Sequence, residues 1–384
     1  MQFDFATASR IIFREGAARD IPALAAGMGR RPCLVTGSNP ARMQWLADAL
    51  AAATAPPLVI PTTGEPDTDA VQEAAGQARE HGCDVVIGAG GGSVMDAAKI
   101  IAALMTNTGD IFDYLEVVGK GLPLTAGPVP LITIPTTAGT GSEVTANGVV
   151  LSKAHGVKVS LRSTDMIADI AVVDPELTLS LPPGVTAATG MDALTQLIEA
   201  FVSTHSNPMT DALCREGMAK AARSLHKACK EGRDIGARTD MALASLFSGI
   251  ALANAKLGAV HGFAAPLGGQ FHIPHGTVCA ALLPHVMEVN LRALDSRAQD
   301  NRALDAYDEI ARIITRSNRS TAMDCIGWIK GLCADLDIPG LSRFGLSESD
   351  FPDLARKAAE ASSMKGNPVV LTDEELLEIL ARAL

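Results

Sequence analysis

Apolar residues in the first half of the chain fall into short compact runs, each followed by a helix-like stretch. Arg10-Ile-Ile-Phe13 reads as a strand ending near Gly16, with an alanine-rich helix after it. Residues 32–36 form a second run, stopped by Gly37-Ser-Asn-Pro40 and leading into a helix through Leu46 to Ala53. Residues 57–60, 84–87 and 131–134 repeat the pattern, with Asp67 or Thr68 as cap of a helix through Ala78 and a helix over 93–104. Short buried strands alternating with helices predict a parallel, doubly wound sheet. Residues 143–151 and 157–161 read as a β-hairpin around His155-Gly156, and 170–173 as a last strand.

From Pro183 the texture changes to long alanine- and leucine-rich segments. Helices are expected over 186–203, 208–230, 237–257, 275–291, 301–315, 321–336 and 372–384. Leu181-Pro-Pro-Gly184 forbids helix continuation, so the expected domains are 1–182, α/β, and 183–384, all-α.

The length of 384 residues fits two cores better than one. A net charge of -11 argues against a nucleic-acid surface, which needs clustered Lys and Arg. No apolar run reaches bilayer length and the first residues lack a secretory pattern, so a cytoplasmic protein without membrane contact is expected. The seven cysteines form an odd set without a C-x-x-C pair and read as reduced, mostly buried thiols.

Two loops have the makings of a nucleotide site. Ile87-Gly-Ala-Gly-Gly-Gly-Ser-Val-Met-Asp-Ala-Ala-Lys99 lies where a strand turns into a helix, so the backbone and the free N–H groups of the helix start would face a pyrophosphate. The spacing departs from G-x-G-x-x-G at Ser93, and a glycine-rich turn alone also serves as a tight turn. Ile134-Pro-Thr-Thr-Ala-Gly-Thr-Gly-Ser-Glu-Val-Thr145 again follows an apolar strand and is dense in hydroxyls and backbone donors. A third turn, Gly37, Ser38 and Asn39, carries no acidic residue to grip a ribose 2′-hydroxyl, and Arg42 follows it, which leaves NADP open beside NAD.

Metal chemistry is suggested elsewhere. The stretch 259–276 holds His261, His272 and His275, three of eight histidines, while Asp192 and Gln196 share a helical face at i and i+4. Two imidazoles and a carboxylate suit a divalent transition metal such as Fe2+ or Zn2+, with Gln196 as a weak oxygen donor. His81, His205, His226 and His285 read as ordinary core histidines, and His155 as solvated.

These motifs resemble the iron-containing (group III) alcohol dehydrogenases over nearly the full length. The matching pieces are Gly90–Lys99, Pro135–Thr145, Lys158, Gly190–Thr195, Val260-His-Gly262 and Pro274-His-Gly276. The resemblance implies a dinucleotide-binding α/β domain and a helical metal domain, an architecture shared with dehydroquinate synthase. It implies that Gly91, Gly92 and Ser93 hold the pyrophosphate, with Asp96 of the same motif among the cofactor contacts. Thr136, Thr137 and Thr140 would line the path toward the nicotinamide, Lys158 would reach the ribose, and Asn147 would face the substrate. Asp192, His261 and His275 would hold the metal, and a homodimer would be the assembly.

Two positions depart from the family pattern. Gln196 stands where the family usually has a metal-binding histidine, and Ala265 where it has another active-site histidine. His272 is the nearest spare imidazole for proton transfer. The expected reaction is reversible, metal-assisted hydride transfer between NAD(P) and a small alcohol or its aldehyde or ketone. The alternatives are a metal-independent reductase of the maleylacetate reductase kind, a lyase resembling dehydroquinate synthase, and a silent nucleotide binder. The lyase needs basic groups for a phosphorylated acid, and residues 259–276 contain no Lys or Arg.

Overall fold

The computed structural model describes residues 2–384. Among them the strands run in chain order: β1 (Arg10–Phe13), β2 (Pro32–Gly37), β3 (Leu58–Thr62), β4 (Val85–Gly90), β5 (Leu131–Pro135), β6 (Asn147–Ser152), β7 (Val157–Arg162) and β8 (Ile170–Val173). Six of them pair in the order β1-β8-β5-β4-β2-β3, every pair parallel. The helices of this unit are α1 (Ile21–Met28), α2 (Gln44–Ala53), α3 (Thr68–Glu80), α4 (Gly92–Thr106) and the single turn α5 (Ile111–Tyr114).

Alternation along the strands sorts the core into two faces. Leu34, Ile87 and Ile132 pack with Ile21, Ala25, Leu46 and Leu50 of α1 and α2. Cys33, Val35, Val86 and Leu131 pack on the other face with Val71 and Ala75 of α3 and much of α4. Helices therefore cover both faces of the sheet, as expected of a doubly wound fold. Gly88 lets α4 approach β4, since a Cβ there would lie 2.7 Å from that of Ala98. Asp67 is the cap of α3, its carboxylate accepting from the Ala70 N–H at 2.9 Å. β6 and β7 form a separate antiparallel pair.

The second unit is helical. It contains α6 (Pro183–Val202), α7 (Pro208–Lys230), α8 (Ile235–Ala255), α9 (Ala259–Phe271), α10 (His275–Arg297), α11 (Arg302–Thr315), α12 (Ala322–Asp335), α13 (Phe351–Glu360) and α14 (Asp373–Ala383). Its contiguous apolar core draws on Leu194, Leu197, Met218, Phe263, Leu283, Tyr307 and Leu380, among others. The compact units are Ala6–Thr137 with Gly141–Thr178, and Leu179–Leu384 with residues 2–5 and Ala138–Thr140. No single helix among the described residues is long and apolar enough to cross a membrane.

Several elements differ from the sequence expectation. The hairpin begins at Asn147 and not at 143, because Ser142–Val144 close a short 3-10 turn after Gly141 in the left-handed region (φ 62°). Helix α9 was not anticipated: Gly262, Pro266, Gly268 and Gly269 weaken its propensity, and tertiary contacts hold it nonetheless. α13 was also missed, and α10 runs on to Arg297. His81, His205 and His226 are exposed and His285 half-buried, so the core reading of these four does not hold.

Candidate metal centre and nucleotide site

Three polar residues on α6 are buried: Asp192 and Gln196 at 2% exposure and Glu199 at 4%. Their spacing of i, i+4 and i+7 lines them along one stripe of the helix. Helix α9 begins against that stripe. Glu199 Oε1 accepts from the Val260 N–H at 2.7 Å, and Asn367 Oδ1 accepts from the Ala259 N–H at 3.2 Å. A carboxylate at a helix N-terminus satisfies orphan N–H groups and favours the positive end of the dipole. The entry to α9 is strained, with Lys256 at φ 57°, ψ −179°, backbone ordinarily left to glycine.

These contacts aim His261. Its Nδ1 donates to Glu199 Oε2 at 2.6 Å, so Nε2 is the nitrogen turned to Asp192 Oδ1, 3.3 Å away. His275 is the first residue of α10, and its Nε2 lies 3.6 Å from the same Asp192 oxygen. The close approach of α10 to α6 depends on Gly276, where a Cβ would collide with the Ala188 carbonyl. One turn further, the buried Cys279 places Sγ 3.7 Å from His261 Nε2 and 3.8 Å from His275 Nε2. The four donor atoms of Asp192, His261, His275 and Cys279 all lie within 4.8 Å of one another.

The cluster favours a cation. Burial pushes the Asp192 carboxyl up, but His275, His261 and Cys279 outweigh it and hold its pKa below the ordinary value. Burial opposes charge on both imidazoles, yet their polar neighbours prevail. Cys279, Asp192 and Glu199 raise His261 well above the usual imidazole value, and Cys279 and Asp192 push His275 up to about 9. A carboxylate, two imidazoles and a thiol at these separations fit a divalent transition ion by donor chemistry and by spacing.

The sequence reading missed two residues here. Cys279 stands four after His275, the same i, i+4 relation that linked Asp192 to Gln196, and Glu199 is one more turn along α6. Gln196 is held inside its own unit, with Oε1 accepting from Ser248 Oγ at 2.8 Å and Nε2 donating to the Thr140 carbonyl at 3.4 Å. His272 is exposed at the left-handed end of α9 (φ 54°), and Ala265 is exposed on the same helix.

In the sheet unit, β4 pairs with β2 on one side and β5 on the other. The turn after β2 (Gly37, Ser38, Asn39), the start of α4 (Gly91, Gly92, Ser93) and the turn after β5 (Thr136, Thr137) therefore leave the sheet edge side by side. The Thr136 N–H donates to the Gly90 carbonyl at 2.8 Å. The chain leaves β2 toward β3 and leaves β4 toward β5, in opposite directions along the sheet. Such a switch point is where open α/β sheets hold nucleotides. Asp96 accepts from Ser142 Oγ at 2.6 Å and pairs with buried Lys99 at 3.3 Å, while Lys158 pairs with Glu65 at 2.7 Å. Asn147 opens β6 opposite Arg162, and Thr140 belongs to the helical unit.

Known proteins agree with both halves. Residues 8–175 match the family model described as iron-containing alcohol dehydrogenase, and 186–384 match that of the C-terminal part of the Fe-containing alcohol dehydrogenase family. Long-chain-alcohol dehydrogenase 1 of Geobacillus thermodenitrificans is 40% identical over 322 residues, 83% of this chain and 80% of that protein. The alcohol dehydrogenase from Oenococcus oeni superposes with a TM-score of 0.91 at 31% identity, covering 100% of both chains. Sulfoacetaldehyde reductase from Bifidobacterium kashiwanohense, solved with NAD+, gives 0.89 at 31% identity, covering 100% of this chain and 99% of that one. The chain belongs to the iron-containing alcohol dehydrogenase family and is an oxidoreductase of alcohols.

Proposed function

We propose that the protein catalyses reversible hydride transfer between C4 of a nicotinamide coenzyme, NAD or NADP, and the carbinol carbon of a small alcohol and its aldehyde or ketone. Asp192, His261 and His275 are assigned to a divalent metal, Fe2+ or Zn2+. The observation that carries this assignment is the meeting of one Asp192 oxygen with both imidazoles, at 3.3 and 3.6 Å, from three different helices. When bound, such an ion supplies Lewis-acid stabilisation of the alcohol or carbonyl oxygen.

The chain's own groups do the rest. Glu199 keeps His261 in one tautomer and one orientation. Asp192 supplies the anion that balances the ion, and its burial keeps water from competing for that oxygen. The His275 side chain is 40% exposed, so the cluster is open on its side and closed elsewhere. His272, exposed and three residues from His275, is assigned proton exchange with solvent, and Asn147 a place on the substrate side. The switch-point residues Gly37, Ser38, Asn39, Gly91, Gly92, Ser93, Thr136 and Thr137 are assigned to the nucleotide, with Asp96, Thr140 and Lys158 completing the set on the family motif. The seven free cysteines suit a reducing compartment such as the cytoplasm, and the family likeness supports a homodimer.

Steady-state rates with a panel of aldehydes and keto acids, using NADH and NADPH, test this. Reduction of small aldehydes that is lost in chelator and restored by iron or zinc is expected. Full activity in chelator would point instead to a metal-independent reductase.

A further inference from the structure

The family's fourth ligand position is altered in this chain. Gln196 stands there, and its amide is already engaged at both ends, by the Ser248 hydroxyl and the Thr140 carbonyl. A neutral amide oxygen that accepts a hydrogen bond is a poor partner for a transition ion. Cys279 meanwhile lies buried at 0% exposure, its Sγ within reach of the Nε2 atoms of both His261 and His275 and of the Asp192 carboxylate.

We propose that Cys279, as thiolate, is the fourth protein ligand of the metal, and that the resulting one-carboxylate, two-imidazole, one-thiolate set takes Zn2+ in preference to Fe2+. This inference rests on the metal assignment made above for Asp192, His261 and His275. Spacing is the first support. Bond lengths of about 2.0 Å to nitrogen or oxygen and about 2.3 Å to sulfur make ligand edges of about 3.3 Å and about 3.5 Å around a tetrahedral ion. The N···O separations here are 3.3 and 3.6 Å, and the S···N separations 3.7 and 3.8 Å.

Donor chemistry is the second support. Thiolate sulfur is soft and suits zinc, whereas oxygen and nitrogen donors with open positions are the usual setting of non-haem Fe2+. On ligation the Cys279 thiol releases its proton to solvent and the sulfur lone pair enters the metal–sulfur bond, with no change of oxidation state. His275, the most exposed of the four, marks the side from which substrate would approach.

Cobalt(II) is the probe, because a cobalt–thiolate bond has a sulfur-to-metal charge-transfer absorption in the near ultraviolet that oxygen and nitrogen ligands lack. The metal-stripped full-length protein is titrated with Co2+, and the same is done with Cys279→Ser and Gln196→Ala. The charge-transfer band is expected in the wild type and in Gln196→Ala, and absent in Cys279→Ser. Zinc affinity of Cys279→Ser should fall by at least the roughly 10–100-fold typical of losing a mere outer-shell partner. Anaerobic competition of equimolar Zn2+ and Fe2+ should load the wild type with zinc.

Cobalt bound by the wild type without a charge-transfer band would overturn the thiolate assignment while leaving the metal site intact. A band that persists in Cys279→Ser would overturn the assignment, since another of the seven cysteines would then be its source. Failure of the wild type to bind cobalt or zinc at all would remove the metal assignment beneath both. Cys279→Ala, titrated in the same way, keeps the test decisive should the serine variant fold poorly.

Discussion

His261 sits between two carboxylates: its Nδ1 donates to Glu199 at 2.6 Å and its Nε2 faces Asp192 at 3.3 Å. Glu199 also ties the first turn of α9 through the Val260 N–H, so one buried side chain sets both the orientation of the ring and the start of the helix bearing it. Glu199→Ala should weaken metal binding by roughly 10–100-fold. It should also cost about 1–3 kcal/mol of stability, because the Val260 N–H loses its acceptor in a dry site. Metal titration and urea unfolding read the two effects separately.

His261→Ala should abolish aldehyde reduction while nucleotide binding stays near normal, since the ring lies in the helical unit and the Gly91–Ser93 turn in the other. Fluorescence titration with reduced coenzyme beside turnover assays would show it. Equal loss of both would mean that His261 serves the nucleotide.

Gly276→Ala should disturb the metal centre without touching a ligand. The added methyl meets the Ala188 carbonyl, a backbone atom that cannot swing aside, so the first turn of α10 must retreat from α6 and carry His275 with it. Overpacking of this kind costs about 1–3 kcal/mol, and metal content should fall in parallel. Retention of full metal content at unchanged stability would contradict this.

Glu143 introduces a pH dependence in the sheet unit. Burial pushes its carboxyl up to about 7 from the ordinary 4.5, against a smaller opposing pull from Lys99. The folded state thus keeps a proton that the unfolded chain has released. The stabilisation associated with that proton is complete below 4.5 and is lost as pH rises through about 7. Glu143→Gln should therefore gain stability relative to wild type on going from pH 4.5 to above 7, by up to about 3 kcal/mol. A pH-independent difference between the two would refute the burial argument.

Coenzyme choice should be loose. No carboxylate stands in the Gly37–Asn39 turn to reject a 2′-phosphate, so rates with NADH and NADPH should be comparable. Asn39→Asp should shift preference toward NADH by about tenfold or more through repulsion of that phosphate. Strict NADH use by the wild type would refute this account of the turn.

Much of this protein is local enough to be read along the chain. The compact apolar runs at 32–36, 84–87 and 131–134 form buried strands because helices cover both faces of the sheet. The glycines of 88–92 announce a strand turning into a helix, and the i, i+4 pair Asp192 and Gln196 shares a helical face by geometry alone. Helix α9 was hidden because Gly262, Pro266 and two further glycines argue against a helix that Glu199 and Asn367 nonetheless hold at its start. Cys279 and Glu199 carried no mark of their own among seven cysteines and many carboxylates. What the sequence by itself determined was the alternation of elements, the change to helices after Pro183 and the motifs of the family. Only the tertiary structure decided that α6, α9 and α10 bring a carboxylate, two imidazoles and a thiol within 4.8 Å, because that depends on how closely packed backbones approach, as at Gly276, and not on residue spacing.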